Sequence, residues 1–349
     1  MAGNVLLLEG EAVLSAIAAY REQARLALDP ATWDYLERGA GEGLSAAAAV
    51  TSWQRIALRP HILRGVTGSD VATDVLGASL AVPVMTAPNG RATRFAADGE
   101  AAVIEGANKA GTIAVLPSSV APSLPALRSL HPSAILWQQI YMWADRGRMR
   151  ELLSEVREAG CRAVVLTVDL MPGGSEAPLP PPQASWERPA SDSPAHLFMA
   201  AGMDDLAWLC SEAGLPVIVK GVLRGDDAAG CVEAGAKALI VSNHGGNQLD
   251  TAIGSAEALP EVVAAIGDRA EVYVDGGIRD GVSVLKALAL GARAVLVGRP
   301  VSYALAAGGA TAVAAMLNGL KDELARAMTL SGAASVASLD AQFVYRPGA

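Results

Sequence analysis

The stretch VDGGIRDGVSVLKALALGARAVLVGRP carries the clearest chemical signal in the chain. Gly276-Gly277 close one apolar run, Gly298-Arg299 close the next, and each pair leads into a helical pattern. Glycine lets backbone N–H groups approach an anion at a helix N-terminus, and Arg279 and Arg299 add bidentate donors, so the pattern fits a phosphate site. A single glycine pair would mark no more than a tight turn. Two such ends on consecutive runs are harder to explain that way.

Upstream, three more apolar runs end in groups suited to proton transfer. His244 follows ALIVSN and precedes two glycines. An imidazole there can act as a base near neutral pH, although a histidine at a strand end is as often structural. Lys220 closes VIVK, where a buried ammonium is costly unless it offsets an anion. Asp169 closes TVD and could orient His244, as carboxylates do for catalytic histidines, or serve as a helix cap or turn residue.

These groups need a scaffold that brings many chain-distant ends to one place. Apolar, β-branched runs at 83–88, 112–116, 134–140, 163–169, 216–221, 238–244, 271–277 and 294–300 alternate with helical segments such as RGRMRELLSEVREAG. Eight such units predict an α/β protein with a closed (β/α)8 TIM barrel, with a doubly wound open sheet as the alternative. Continuous apolar runs fit strands buried on both faces. The polar ends Asn89, Gln139 with Tyr141, Asp169, Lys220, His244, Asp275 and Arg299 fit the C-terminal face, where barrel enzymes keep their chemistry. Residues 1–349 read as one domain. Residues 1–80 form an N-terminal extension: helices from 11 to about 50, with a stop and restart at Asp29-Pro30, then a short hairpin from IALRPHIL and VATDVLGASLAV that could cover one barrel end. A Pro-, Ser- and Gly-rich stretch from 171 to 206 follows the fourth run, and a loop of that length reads as a lid, a partner-binding segment or a mobile linker.

Composition narrows the partners. Hydrophobic residues at 52% and charged residues at 18% supply a large core, and with aromatics at 4% that core must be built from Val, Leu, Ile and Ala. A net charge of -9 argues against nucleic acid and anionic membranes and points to a small-molecule substrate. Cys161, Cys210 and Cys231 are odd in number and far apart, which predicts reduced thiols in a cytoplasmic protein and no zinc site or other metal. The N-terminal MAGNVLLLEGEAVL is broken by Glu9 and Glu11 and lacks a basic start, so neither an export signal nor a membrane span is expected.

Taken in order, Tyr35 in WDYLERGAG, Gln139 and Tyr141 in WQQIY, Asp169 in LTVD, Lys220 in VIVKG, His244 in SNHGG, and DGGIRDG through VGRP make a chain that resembles the FMN-dependent α-hydroxy-acid oxidase and dehydrogenase family from about residue 30 to the C-terminus. The resemblance implies an FMN-containing (β/α)8 oxidoreductase, and by family habit a homo-oligomer, a tetramer. It places Ser118, Gln139, Thr167 and Lys220 around the flavin ring, with Lys220 offsetting the anion of the reduced ring, and Ser242 near the ring edge or ribityl chain. Ala87, Pro88, Asn89 and Gly90 would present their backbone to the central ring. Asp275, Gly276, Gly277, Arg279, Gly298 and Arg299 would hold ribityl and phosphate. His244 would be the base, oriented by Asp169, with Tyr141 bonding the reacting oxygen or nitrogen and Tyr35 contacting the substrate.

Two family features are missing. Where members read S-N-H-G-G-R-Q, with an arginine that grips the substrate carboxylate, this chain has Asn247, and TVDLMPGGSEA lacks the arginines that follow the family's fourth-strand aspartate. Losing charge-assisted bonds to a partly desolvated carboxylate costs several kcal/mol by order of magnitude. Three readings follow. The substrate lacks a free carboxylate, as an amide, lactam, ester or carrier-linked compound would; an arginine such as Arg91, Arg94 or Arg188 reaches in from a loop; or turnover is lost and the chain only binds FMN. Because the base and its partners are all present, the first is preferred. The resemblance extends to amine-oxidising members acting on peptide-derived lactams that also carry Asn here, so C–NH2 stands beside C–OH as the oxidised bond.

Overall fold

The computed structural model describes residues 16–118, 120, 122–170 and 199–346. Its N-terminal part begins with α1 (Ala16–Ala27), α2 (Pro30–Glu37) and α3 (Leu44–Arg55). The break between the first two falls where the sequence predicts it: Asp29 Oδ1 accepts from Thr32 N at 3.0 Å and Pro30 occupies the first turn, where its missing N–H costs nothing.

The strand-like stretches that follow do not pair with each other. The hairpin forms wholly within the second, as β2 (Thr73–Val75) and β3 (Ala78–Leu80) around Leu76-Gly77, both at positive φ. In the first, β1 (Ala57–Leu58) pairs instead with a C-terminal strand, Val344–Tyr345. Such a partner, almost at the other end of the chain, leaves no trace in local periodicity. The hairpin does cover a barrel end, the N-terminal one. Val75 and Leu80 join the interior cluster, and Leu76 N donates to the carboxylate of Glu271 at 3.1 Å.

Eight parallel strands then close the barrel: β4 (Val84–Thr86), β5 (Ala114–Leu116), β6 (Leu136–Ile140), β7 (Ala163–Thr167), β8 (Val217–Val222), β9 (Ala238–Val241), β10 (Glu271–Val274) and β11 (Ala294–Val297), with β11 bonded back to β4. Each lies within a predicted run, so the closed barrel holds and the open sheet is excluded. The runs are continuously apolar because alternate residues serve two layers. Val165, Ile218, Ile240 and Tyr273 fill the barrel, whereas Val164, Leu166, Val219 and Leu239 meet the helices outside. Each fully buried Val or Leu contributes about 1.5–3 kcal/mol.

The outer helices are α4 (Gly99–Lys109), α5 (Leu124–Leu130), α6 (Arg146–Glu158), α7 (Met203–Glu212), α8 (Gly225–Glu233), α9 (Ser255–Ile266), α10 (Gly281–Ala289) and α11 (Arg299–Ser331), before β12 (Val344–Tyr345). The last helix is long and apolar enough to cross a membrane by length and composition, but it is broken at Gly308-Gly309 and packs along α1 and α4. The predicted loop at 171–206 ends sooner than expected, since α7 starts at Met203 with Gly202 N bonded to Asp205 Oδ2 at 2.8 Å. Residues 171–198, and the helix expected over 11–15, lie outside the described residues. Cys161 and Cys231 are buried free thiols, both pushed up to about 11 by burial.

Candidate active site

The polar strand ends meet at the C-terminal mouth. His244 Nδ1 lies 2.9 Å from Asp169 Oδ1, joining the ends of β9 and β7. If Nδ1–H donates to that carboxylate, Nε2 carries the lone pair, and it has no partner among the described residues, so it can receive a proton. Burial pushes the Asp169 carboxyl up, but Lys220 and His244 outweigh that and hold it below the ordinary aspartate value. The anion is therefore in place to stabilise a protonated imidazole.

His244 is itself held in an unusual conformation. Its φ is 56°, and Gly245 and Gly246 continue in the left-handed region at 64° and 75°. A Cβ on Gly246 would lie 2.4 Å from Ala46 N, so only glycine permits this loop to meet α3. The imidazole's residue is further fixed by His244 N donating to Ser242 Oγ at 3.0 Å. Strain of about 1–3 kcal/mol in a non-glycine residue persists where surrounding bonds over-determine it, here at the candidate base.

Lys220 and Ser242 sit beneath this pair. Lys220 Nζ donates to Ser242 Oγ at 2.9 Å and lies 3.1 Å from Asp275 Oδ2, buried at the ends of β8, β9 and β10. Burial disfavours the ammonium, yet Asp275 and Asp169 more than offset it and raise its pKa above that of an ordinary lysine. Tyr141 bonds to Gln139, and burial raises its phenol pKa, with Asp169 and Tyr35 adding to the rise and Lys220 opposing it. The phenol is thus a donor throughout the physiological range. Gln139 also accepts from Ser118 N at 2.9 Å and donates to Ile140 O at 2.9 Å, tying β6 to the end of β5. Thr167, at the end of β7, makes no side-chain hydrogen bond among the described residues. Ala87, Pro88, Asn89 and Gly90 follow β4 half-buried, with Ala87 N bonded to Val297 O at 2.9 Å and Asn89 Nδ2 to Ser302 Oγ at 2.6 Å.

One residue of this mouth escaped the sequence reading. Gly221, at φ 115°, interrupts the register of β8, and a Cβ there would lie 2.5 Å from Asp169 Cγ. It makes the room that Asp169 occupies. A glycine inside an apolar strand run is the available signal for such an approach.

The phosphate end needs two corrections. Arg299 does not extend toward a ligand: its Nε donates to Leu36 O at 3.0 Å, Nη1 to Gly245 O at 2.9 Å and Nη2 to Arg38 O at 2.9 Å. The carbonyls left bare by the end of α2 and by the His244 loop draw its fork inward, and what remains near Gly298 for an anion is the start of α11. Nor do Gly276 and Gly277 owe their identity to a phosphate. A Cβ on Gly277 would lie 1.9 Å from Ala49 O and one on Gly276 3.0 Å from Ser255 Oγ, so both allow close packing, Gly277 on α3 and Gly276 on the start of α9. Arg279 keeps its expected part. It is deeply enclosed, its one printed hydrogen bond goes to its neighbour Ile278 O at 2.8 Å, and burial followed by the proximity of Arg299 lowers its pKa. Together with Asp275 Oδ1, a buried acceptor without a donor, this cation fits a group bearing both hydroxyls and a phosphate. Among the described residues no cluster of His, Cys, Asp or Glu could hold a metal ion.

The N-terminal extension closes the remaining side. Ala40 N donates to Gly246 O at 2.8 Å, and Asp250 accepts from Ser45 N at 2.8 Å and Glu42 N at 3.0 Å, which sets Tyr35 at the mouth near Tyr141. Asn247 is exposed and folds its Nδ2 onto His244 O at 3.2 Å. Of the alternative arginines, Arg91 is exposed, Arg94 approaches the Tyr35 ring, and Arg188 lies outside the described residues.

Comparison with known proteins agrees with this geometry. The family described as FMN-dependent dehydrogenase matches residues 24–346. The chain belongs to the FMN-dependent α-hydroxy-acid oxidase family. It is 39% identical to L-lactate oxidase of Nostoc sp. (strain PCC 7120 / SAG 25.82 / UTEX 2576) over 93% of this chain and 96% of that one, and 33% identical to human 2-hydroxyacid oxidase 1 over 95% and 97%. An arginine-to-leucine variant of mandelate oxidase, solved with 2-hydroxy-phenylacetamide, superposes with a TM-score of 0.86 at 36% identity, covering 95% of this chain and 98% of that one. As a member of this family the protein is an FMN-dependent oxidase or dehydrogenase.

Proposed function

We propose that this enzyme oxidises a C–OH or C–NH2 carbon next to a neutral carbonyl, in a substrate without a free carboxylate at the reacting carbon: an amide, lactam, ester or carrier-linked compound. The carrying observation is Asn247 at the position of the family's clamp arginine, beside an intact His244–Asp169 pair. A carboxylate set against Asn247 and Tyr35 would exchange its hydration for neutral partners, whereas an amide can satisfy both. That a mandelate oxidase variant lacking one arginine has been solved with an amide is consistent with such a fit.

Bound FMN would supply the two-electron acceptor. Lys220, Gln139, Thr167, Ser118 and the Ala87–Gly90 backbone are the groups to hold its ring, Asp275 its ribityl chain, and Arg279 its phosphate. His244 Nε2 would take the proton from the substrate's hydroxyl or amine, Asp169 would stabilise the imidazolium, and Tyr141 would donate to the reacting heteroatom. The buried cation at Lys220 would favour negative charge in the adjoining site.

The test compares rates of anaerobic flavin reduction for mandelate against mandelamide and lactate against lactamide, in wild type and Asn247→Arg. Amides should lead in wild type and acids should gain in the variant. Efficient turnover of ordinary α-hydroxy acids by wild type would sink the proposal and restore the plain family substrate.

A further inference from the structure

Two arginines from separate elements converge on the ring of Tyr35. The guanidinium carbon of Arg38 lies 5.3 Å from the ring centroid and that of Arg94 lies 6.0 Å from it. Arg38 terminates α2, and Arg94 ends the short turn 92–94 after β4. Both are half-buried on pinned backbone: Arg38 O accepts from Arg299 Nη2 at 2.9 Å, Arg94 N donates to Arg91 O at 2.9 Å, and Ala92 N donates to the buried Glu100 Oε1 at 3.1 Å.

Arg38 has no carboxylate partner and no side-chain hydrogen bond among the described residues; the Tyr35 ring is what it rests on. The neighbouring acid, Glu37, is taken by Arg21 and Tyr303. An aromatic face attracts a cation only modestly, and two cations drawn to one ring repel each other. A chain of net charge -9 has carboxylates to spare for such a place, yet none has been set against Arg38. An anion arriving between the two guanidinium groups would remove the repulsion and fill donors that Arg38 leaves unused.

We propose that Arg38 and Arg94 form an anion subsite at the rim of the active-site mouth, receiving a carboxylate or phosphate that the substrate carries away from its reacting carbon. The proposal rests on the neutral-carbonyl reading above, and adds where the substrate's charge goes. Tyr35 would then serve both regions, its phenol toward the reacting end and its ring as the floor under the two arginines.

The experiment uses the FMN-loaded enzyme and measures anaerobic flavin reduction by four probes: mandelamide, its para-carboxylate, its para-phosphonate, and the para-carboxylate methyl ester. One charge-assisted contact predicts that wild type reduces with an anionic probe about tenfold or more faster than with the ester. That ratio should fall toward one in Arg38→Met and in Arg38→Met/Arg94→Met, and should be partly kept in Arg38→Lys. It should also shrink as ionic strength rises in wild type, a readout that needs no variant to fold. A larger preference for the phosphonate would assign a phosphate, and equal preferences a simple carboxylate. Anionic probes no faster than the ester, or a preference that survives the double substitution and high salt, would overturn the subsite. The neutral-carbonyl reading is judged separately, by mandelate against mandelamide. A mandelate advantage that vanished in Arg38→Met would show the arginines gripping the reacting carboxylate itself and would overturn the distal placement.

Discussion

Lys220 Nζ lies 3.1 Å from Asp275 Oδ2, with only 6% and 8% of the two side chains exposed. Burial opposes the lysine charge, but Asp275 and Asp169 raise its pKa above the ordinary 10.5. The sign follows: stability from this charge is fully present below the ordinary value and is lost as pH rises through the raised one. Lys220→Met, which strands two carboxylates, should cost about 3–5 kcal/mol. Denaturant titrations should show that deficit unchanged across neutral pH and shrinking only above pH 10.5. A deficit that disappears at neutral pH would mean the lysine is not charged in the fold.

His244→Ala should slow flavin reduction by about 10²- to 10⁴-fold while the oxidised flavin spectrum stays nearly the same. Asp169→Asn should lose a similar factor without loss of FMN, because the imidazolium forfeits its anion. Equal rates in wild type and His244→Ala would make the histidine structural.

Arg279→Ala and Arg299→Ala should fail in different ways. The first removes the buried cation at the phosphate end, so FMN should wash out on gel filtration with the circular dichroism intact. The second cuts three bonds to Leu36, Arg38 and Gly245 carbonyls, so it should lower thermal stability by about 2 kcal/mol or more and raise KM through a loosened Tyr35 and His244. Identical phenotypes would contradict the division of labour between the two arginines.

Gly221→Ala should displace Asp169, since the new Cβ would stand 2.5 Å from its Cγ. A misplacement of about 1 Å can cost 10²-fold in rate. The expected signature is a fall in kcat with FMN still bound; an unchanged kcat would show that the aspartate has other room.

Much of this was legible in the residues. Eight β-branched runs ending in polar groups announced the barrel, because strands buried on both faces must be apolar throughout and can turn polar only at the mouth. His244, Asp169, Lys220 and Asp275 stood at such ends, and the structure brings them together. The misreadings arose where the reason for a residue lies in another element. Gly277 looked like a phosphate glycine, yet Ala49 O is what excludes a side chain there. Arg299 matched the fold's usual anion donor, but the backbone carbonyls it serves belong to α2 and the His244 loop, which no motif connects to it. The β1 pairing with β12 was invisible for the same cause.

Arg299 gathers carbonyls from residues 36, 38 and 245, so three widely separated stretches of chain depend on one of the last strand ends to be synthesised. A nascent polypeptide on the ribosome cannot hold Tyr35 against the histidine loop until that arginine has emerged. Helices α1 and α2 must therefore wait, already translated, for the eighth barrel strand. Catalytic competence in this molecule arrives late and all at once, at barrel closure, and no N-terminal fragment can acquire it early.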